Sequence, residues 1–227
     1  MKLLLVGHGR MGQLVEQLAP GYGCEIVRVV TELDGPTAIA DGDFPGVTMA
    51  IDFSTPEAVP QNLPQLVRRG ISVVVGTTGW QDREAEFRAL VAEAGVGVLA
   101  AANFSLGVHV FRQVVEEASR RFARLADIGA WIHEAHHAAK QDAPSGTALT
   151  LHTSMINAGY ERNIDVSSTR AGWIPGTHTV GFDGRSETVT LTHTVRDRAV
   201  FAHGALEAAR WLDGRHGWFT VADMMDG

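Results

Sequence analysis

The stretch Leu3-Leu4-Leu5-Val6-Gly7-His8-Gly9-Arg10-Met11-Gly12-Gln13-Leu14-Val15 decides the fold. An apolar run, Leu3 to Val6, reads as a first strand, and Met11 to Leu18 reads as a helix. Between them stands GxGxxG, where backbone N–H groups and a helix dipole can receive a pyrophosphate. Gly7 permits the tight turn, Gly9 lets the backbone approach the phosphates, and Gly12 lets the helix pack on the strand, with His8, Arg10 and Met11 filling the same loop. A glycine-rich turn without a ligand is the bland alternative. Glu32 weighs against it: it ends the next strand, twenty residues past Gly12, where a carboxylate accepts hydrogen bonds from an adenine ribose.

Working outward, branched apolar runs alternate with helical patterns: Leu3 to Val6, Cys24 to Val30, Thr48 to Phe53, Ile71 to Val75 and Val96 to Ala101. That alternation predicts a parallel sheet with crossover helices, an α/β dinucleotide-binding domain over residues 1–105. Glu84 to Ala94 reads as a helix stopped by Gly95. Pro64 to Arg69 is a less regular helix, since Pro56, Pro60 and Pro64 argue against one long helix there. Gly76-Thr77-Thr78-Gly79 and Ala101-Ala102-Asn103-Phe104 each close a strand. Both are therefore expected to line the crevice at the carboxyl ends of the sheet.

After Ser105 the pattern changes. Val108, Phe111, Val114, Val115, Ala118 and Phe122 recur at helical spacing and open a second region over 106–200. It holds a strand-like Asp127 to His133, a polar loop, a helix from about Gly146 to Ala158, and a strand Thr188 to Thr194 with Val189, Leu191 and His193 on one face. A last helix near Ala205 to Leu212, within 201–227, is expected to return to the first domain.

The formal charge is -7. Such a chain repels phosphate backbones and anionic lipid, so neither nucleic acid nor a membrane is an expected partner. The single cysteine, Cys24, allows no internal disulfide, and the opening apolar run is too short for a signal peptide or a membrane span. A cytoplasmic setting fits both observations.

The chemistry concentrates in Glu134-Ala135-His136-His137-Ala138-Ala139-Lys140-Gln141-Asp142-Ala143-Pro144-Ser145-Gly146-Thr147-Ala148. An imidazole pair, an ammonium and a Ser-Gly-Thr turn opening a helix can bind carboxylates and donate a proton. The chain carries seventeen arginines against two lysines, Lys2 and Lys140. A generic positive charge here would be an arginine, so Lys140 is singled out as a group able to release a proton when its surroundings lower its pKa. A solvated surface lysine is the plain alternative. His133-Glu134-Ala135-His136-His137 also satisfies the HExxH zinc signature. It is rejected, because the preceding residues read as a strand, Pro144 follows, and a zinc protease leaves the dinucleotide half unexplained. No metal is expected.

Taken together, Gly7 to Gly12, Gly76 to Gly79, Ala101 to Ser105, Glu134 to Ala148 and Phe201-Ala202-His203-Gly204-Ala205 resemble the dihydrodipicolinate reductase family, the 4-hydroxy-tetrahydrodipicolinate reductases of the diaminopimelate route to lysine. The resemblance runs through nearly the whole chain. It implies a Rossmann-like domain, a smaller α+β substrate domain with a mixed sheet, and a C-terminal return to the first domain. By position it makes His136 a proton donor or acceptor and Lys140 a proton donor, with His137, Ser145, Gly146 and Thr147 on the carboxylates of a cyclic dicarboxylate. The nicotinamide is expected near Thr77 to Gly79 and Ala101 to Phe104, with domain closure bringing it to substrate.

Two departures stand out. The basic residue that often follows the ribose-binding acid is here Leu33, which points to NADH over NADPH, though NADPH is still possible through Arg10. The run Gly176-Thr177-His178-Thr179 lacks a strand and turn that family members usually carry, in the region whose sheet builds the family's tetramer. A homo-oligomer is nevertheless expected. A reductase of another small imino or keto acid, and a catalytically silent dinucleotide sensor, are the alternatives the residues leave open.

Overall fold

A computed structural model describes residues 1–226. The chain divides into one unit of Met1–Leu106 with Ala199–Gly227 and a second of Gly107–Arg198.

The first unit is a sheet of six parallel strands flanked by helices on both faces. In chain order its elements are β1 (Lys2–Val6), α1 (Arg10–Leu18), β2 (Glu25–Val30), α2 (Ala38–Asp41), β3 (Met49–Asp52), α3 (Val59–Arg68), β4 (Ser72–Val75), α4 (Glu84–Ala94) and β5 (Gly97–Ala100). The second unit follows with α5 (Leu106–Phe122, starting on the last residue of the first unit), β6 (Gly129–His136), α6 (Gly146–Asn157), β7 (Ile164–Arg170), β8 (Thr177–Asp183) and β9 (Thr188–Thr194). The chain then returns with α7 (Ala199–Leu212), β10 (Gly217–Phe219) and α8 (Val221–Asp226). The strand order of the first sheet is β10-β5-β4-β3-β1-β2, every pair parallel.

Alternation along each strand explains why both faces are covered. Leu4, Val6, Ala50, Val73, Val75 and Val98 pack into one core with Leu63, Leu66 and Phe87 of α3 and α4. Their neighbours Leu3, Leu5, Met49, Ile51, Val74 and Leu99 enter the opposite core with Val15 of α1 and Ala202, Ala205, Leu206 and Ala209 of α7. A strand buried on both sides reads as a continuous apolar run, and that is the pattern of these strands.

Three corrections concern helices. The segment around the prolines forms one ten-residue helix, Val59–Arg68, that runs through Pro64. Pro60 lies in its first turn, where a missing N–H costs nothing, so Pro64 forfeits a single hydrogen bond. On α5, Val115 is buried but Val114 is 48% exposed, so the apolar stripe follows Phe111, Val115, Ala118 and Phe122 without it. The helix expected from Ala205 is α7, which begins at Ala199, six residues earlier, and passes through Gly204. A Cβ there would overlap the carbonyl oxygen of Phe104.

In the second unit the sheet is mixed, in the order β7-β6-β8-β9, with β6 and β7 parallel and the other pairs antiparallel. Strand β6 continues through His136, three residues past its expected end. Strands β7 and β8 escaped the sequence reading because Ile164–Arg170 is mostly polar and Gly181 interrupts β8, at a point where the Trp131 ring leaves no room for a Cβ. Of the run Gly176-Thr177-His178-Thr179, the last three residues open β8.

Gly204 gives a test of this packing by sign. Alanine in place of an interior helix glycine ordinarily stabilises by about 0.5–1 kcal/mol. Against the Phe104 backbone, overpacking of about 1–3 kcal/mol outweighs that gain. Gly204→Ala is therefore expected to unfold at lower urea than the parent protein, and an unchanged or higher midpoint would contradict the close approach.

Candidate active site

In the first unit the order of strands reverses between β1 and β3: β2 lies on one side of β1, and β3, β4 and β5 on the other. The loops leaving β1 and β3 therefore part in opposite directions, and open α/β sheets bind ligands at such a switch point. A cavity of about 720 Å³ occupies it, lined by Gly7, His8 and Gly9 after β1, by Thr31, Glu32 and Leu33 after β2, and by Phe53, Ser54 and Thr55 after β3. Helix α1 starts at its wall, with Gly9 as an extended N-cap that offers no side-chain cap. Its first N–H groups are thus left for an incoming anion.

The glycines fit that use. Gly7 has φ +88°, and a Cβ on it would overlap the Phe53 carbonyl; a Cβ on Gly12 would overlap the Gly7 carbonyl. Gly9 has nothing within 4 Å of its Cβ position, so its face stays open to a ligand. Arg10 begins α1, Met11 packs partly into the core, and Gly12 is buried.

Sequence reasoning missed Phe53, which joins the two later loops. A Cβ on Gly76 would strike the Phe53 ring. On its other side Phe104 meets Phe53 edge-on, with ring centroids 6.2 Å apart. Beneath it Asp52, fully buried, accepts hydrogen bonds from Ser54 N at 2.8 Å and Ser54 Oγ at 2.5 Å, and a long one from Thr77 Oγ1 at 3.5 Å. Burial pushes the Asp52 carboxyl up, against those bonds. Asn103 accepts from Ser105 N at 2.8 Å, fixing the loop that carries Ala101 and Ala102. Thr78 leaves the same end of β4. The position of Asp52-Phe53-Ser54 at the end of β3, beside β1, was the available signal.

The second unit assembles its polar groups by register. On the face toward the core, Ile164, Ala130 and Phe182 form one row across the sheet, and Val166, Ile132, Val180 and Leu191 the next. The following row is Ser168, Glu134, His178 and His193, and beyond it His136 stands opposite Arg170. Each strand passes from apolar to polar at the same level.

Glu134 has no exposed surface. Its Oε1 accepts from Arg170 Nη2 at 2.6 Å and from Ser145 N at 3.2 Å, and its Oε2 lies 2.6 Å from His136 Nδ1. Burial alone would raise the Glu134 carboxyl, but hydrogen bonds from Arg170, Ser168 and Ser145 and the nearby His136 outweigh it and hold the group at about 2. Burial lowers His136, opposed by the Glu134 carboxylate. Burial, with His136 nearby, lowers His178 to about 4. Ser145 caps α6: its Oγ accepts from Ala148 N at 3.3 Å and sits 3.1 Å from His178 Nε2. Gly146 and Thr147 form the first turn of that helix, with the Gly146 N–H turned to the Asp142 carboxylate.

The structure thus brings His136 and Ser145 together through Glu134, whereas Lys140 Nζ is paired with Asp142 Oδ1 at 2.6 Å. His137 follows β6 directly. Glu134, Arg170 and His178 were missed, because their meeting depends on strand register.

The HExxH residues lie on extended chain. His133 and His137, which would share one helix turn, are four extended residues apart, roughly 13 Å. His133 Nε2 instead meets Thr169 Oγ1 at 3.1 Å. Oxygen and nitrogen atoms of Glu134, His136 and His178 do lie within 4.8 Å of one another. The guanidinium of Arg170 already neutralises the carboxylate there and opposes a second cation.

Comparison with known proteins agrees with this division. Residues 1–104 match the family described as dihydrodipicolinate reductase, N-terminus, and residues 107–225 the one described as dihydrodipicolinate reductase, C-terminus. A 4-hydroxy-tetrahydrodipicolinate reductase from Stenotrophomonas maltophilia (strain R551-3) is 40% identical over 239 residues, covering 99% of this chain and 98% of its own. One from Christiangramia forsetii is 34% identical with the same coverage. In three dimensions the fold is similar to a dipicolinate-bound dihydrodipicolinate reductase from Paenisporosarcina sp. TG-14, with TM-score 0.78, 20% identity and 97% of each chain covered. Among the described residues no helix is long and apolar enough to cross a membrane.

The buried row has a consequence for acid stability. His178 falls from 6.5 to about 4 on folding, so between those values the unfolded chain binds a proton that the folded one refuses. Stability therefore drops as pH falls through that window, by about 3 kcal/mol. Glu134, lowered from 4.5 to about 2, adds a further loss below pH 4.5. Urea unfolding across the range should show the first loss in the parent protein and a flatter profile in His178→Gln, which keeps a donor near Ser145 but cannot titrate. A parent profile flat between 6.5 and 4 would refute the assignment.

Proposed function

This chain belongs to the dihydrodipicolinate reductase family, the nicotinamide-dependent 4-hydroxy-tetrahydrodipicolinate reductases, and we propose how its own residues carry that reaction. His136 and Lys140 move protons, while His137 and the start of α6 hold the carboxylates of a cyclic dicarboxylate. The observation that supports this most directly is the coupling, through one buried carboxylate, of the His136 imidazole to the N-cap of α6. An acid–base group and an anion-binding helix start are thereby held at one place, as reduction of an anionic imine requires. The pathway is the diaminopimelate route to lysine.

NAD(P)H, when bound at the β1 and β3 loops, supplies the hydride for the ring carbon left electrophilic as the 4-hydroxyl departs as water. The chain's own groups manage the charge. Gly146 and Thr147 N–H groups and His137 offset the carboxylates, since a dianion otherwise meets a net acidic protein. Lys140, paired with Asp142 and with its side chain 25% exposed, sits in an ion pair of the kind worth about 1 kcal/mol or less. A dianionic substrate competes readily for that ammonium. Its proton then quenches negative charge developing on the conjugated imine, with His136 as the second acid–base group.

A homo-oligomer is part of this reading, because β7 and β9 are the edges of the second sheet and β9 is largely exposed. A cytosolic setting accords with Cys24, a buried thiol with no second cysteine to pair with.

NADH should be preferred. Glu32 lines the cavity beside Leu33, which is 92% exposed, and the nearby Arg28 is tied to Asp34 at 2.7 Å. A 2′-phosphate beside Glu32 would meet like charge, with Arg10 as its one recourse in the glycine loop. Charged hydrogen bonds from the ribose to Glu32 are worth about 1.5–3 kcal/mol, so kcat/KM should favour NADH by roughly tenfold or more. Leu33→Arg should narrow the gap through the KM for NADPH, and equal kcat/KM in the parent protein would overturn the preference.

The central test is oxidation of NADH with substrate made freshly from pyruvate and aspartate semialdehyde by the preceding synthase. Turnover is expected with the coupled mixture and with neither synthase substrate alone; NADH binding without turnover would indicate a sensor. Lys140→Arg and Lys140→Ala should both lose most of kcat, the arginine variant retaining tighter substrate binding. Full turnover in Lys140→Arg would make the residue an electrostatic anchor.

A further inference from the structure

Among the groups gathered on the second sheet, Glu134 is the one that meets Arg170, Ser145 and His136 at once while remaining fully shielded from solvent. Its two oxygens are used differently. Oε1 takes the donors, Arg170 Nη2 at 2.6 Å and Ser145 N at 3.2 Å. Oε2 is left for His136 Nδ1, 2.6 Å away. The two atoms stand close without hydrogen-bond alignment, yet a bare imidazole lone pair that near a carboxylate oxygen would be repelled, which selects the Nδ1–H form of the neutral ring. Its Nε2 is then the unprotonated atom. That nitrogen faces Gly176, whose missing side chain matters: a Cβ there would stand 3.3 Å from Nε2.

We infer that Glu134 is a positioning residue, whose carboxylate holds His136 as the Nδ1–H tautomer so that proton transfer runs through Nε2, and whose other oxygen anchors the start of α6 beside it. The inference rests on the reading of His136 as an acid–base group. It adds the atom through which that group works and the residue that sets it. One carboxylate thus keeps the proton-transfer atom and the anion-binding helix start in fixed relation, which a separate cap for α6 and a separate partner for His136 would not do.

The groups facing His136 are Glu134 on its own strand, Arg170 on β7, His178 on β8 and Lys140 in the following loop, with His193 behind His178 on β9. Of these Glu134 alone favours the imidazolium. Removing its charge must therefore move the His136 titration to lower pH.

Glu134→Gln is the informative change because it keeps the shape. Arg170 and Ser145 are both donors and will claim the amide oxygen, which turns the amide NH2 toward His136 Nδ1. The ring must then accept at Nδ1 and carry its proton on Nε2, the inverse tautomer. With 15N-labelled imidazoles at a pH where His136 is neutral, the parent protein should show Nδ1 protonated and Nε2 bare, and Glu134→Gln the reverse. In kinetics, Glu134→Gln should lose on the order of tenfold or more in kcat and shift the limb of the kcat–pH profile that reports His136 to lower pH.

The same substitution placed in a His136→Ala background should cost little further, because the two residues act as one unit. Full kcat in His136→Ala would remove the underlying reading and this inference with it. An impaired His136→Ala beside a Glu134→Gln with parental kcat and pH profile would sink the inference alone. So would Nε2–H in the parent protein, a measurement that needs no variant to fold.

Discussion

A carboxylate with no exposed surface can remain charged only if protein groups replace the water it has lost, and Glu134 meets that condition with Arg170, Ser145, Ser168 and His136. Burying such a pair costs several kcal/mol per ion, and removing one partner leaves an uncompensated charge worth about 3–5 kcal/mol of instability. The arrangement of the second unit follows from this requirement. Arg170 has to end β7 next to His136, Ser145 has to bring its N–H down onto β6, and the loop between them has to close over the same place. The charged loop is shaped from below by a single oxygen-to-nitrogen network.

The first unit answers to a different constraint, the close approach of backbone to backbone. Parallel strands deliver every loop that leaves a strand to the same end of the sheet, and those loops can converge there only where side chains are absent or flat. Gly7 against Phe53, Gly12 against Gly7 and Gly204 against Phe104 are all places where a Cβ would overlap a carbonyl oxygen. Phe53 then fills the space that these contacts leave, touching Gly76 on one side and the Phe104 ring on the other. The mouth of the cavity at the switch point is a by-product of the same geometry, since β1 and β3 send their loops apart.

How far the site could be read ahead of the structure differs between the units for a physical reason. The dinucleotide half is coded locally: a strand, a tight turn and a helix lie between Lys2 and Leu18, and the glycine spacing belongs to that turn, although Gly7 also meets Phe53 from a later part of the chain. The charged loop announced its chemistry too, through the rarity of lysine and the run from Glu134 to Ala148. What escaped was everything set by register. His178 lies more than forty residues along the chain from Glu134 yet directly opposite it, and Arg170 reaches His136 from a strand whose sequence is too polar to be recognised. The prolines of α3 misled in the other direction, because the cost of a proline depends on which hydrogen bond it removes.

By itself, then, the sequence determined the class of each unit, the residues of the glycine loop and the identity of the titratable groups, since periodicity and side-chain chemistry are properties of neighbours along the chain. The tertiary structure decided which of those groups meet. It placed Phe53 between two loops, tied Lys140 to Asp142, and extended β6 far enough to put Glu134 and His136 on one face beside Arg170 and His178. A one-residue slip of any strand would turn its polar group to the other face, so the network exists only in the register that packing of the apolar rows enforces.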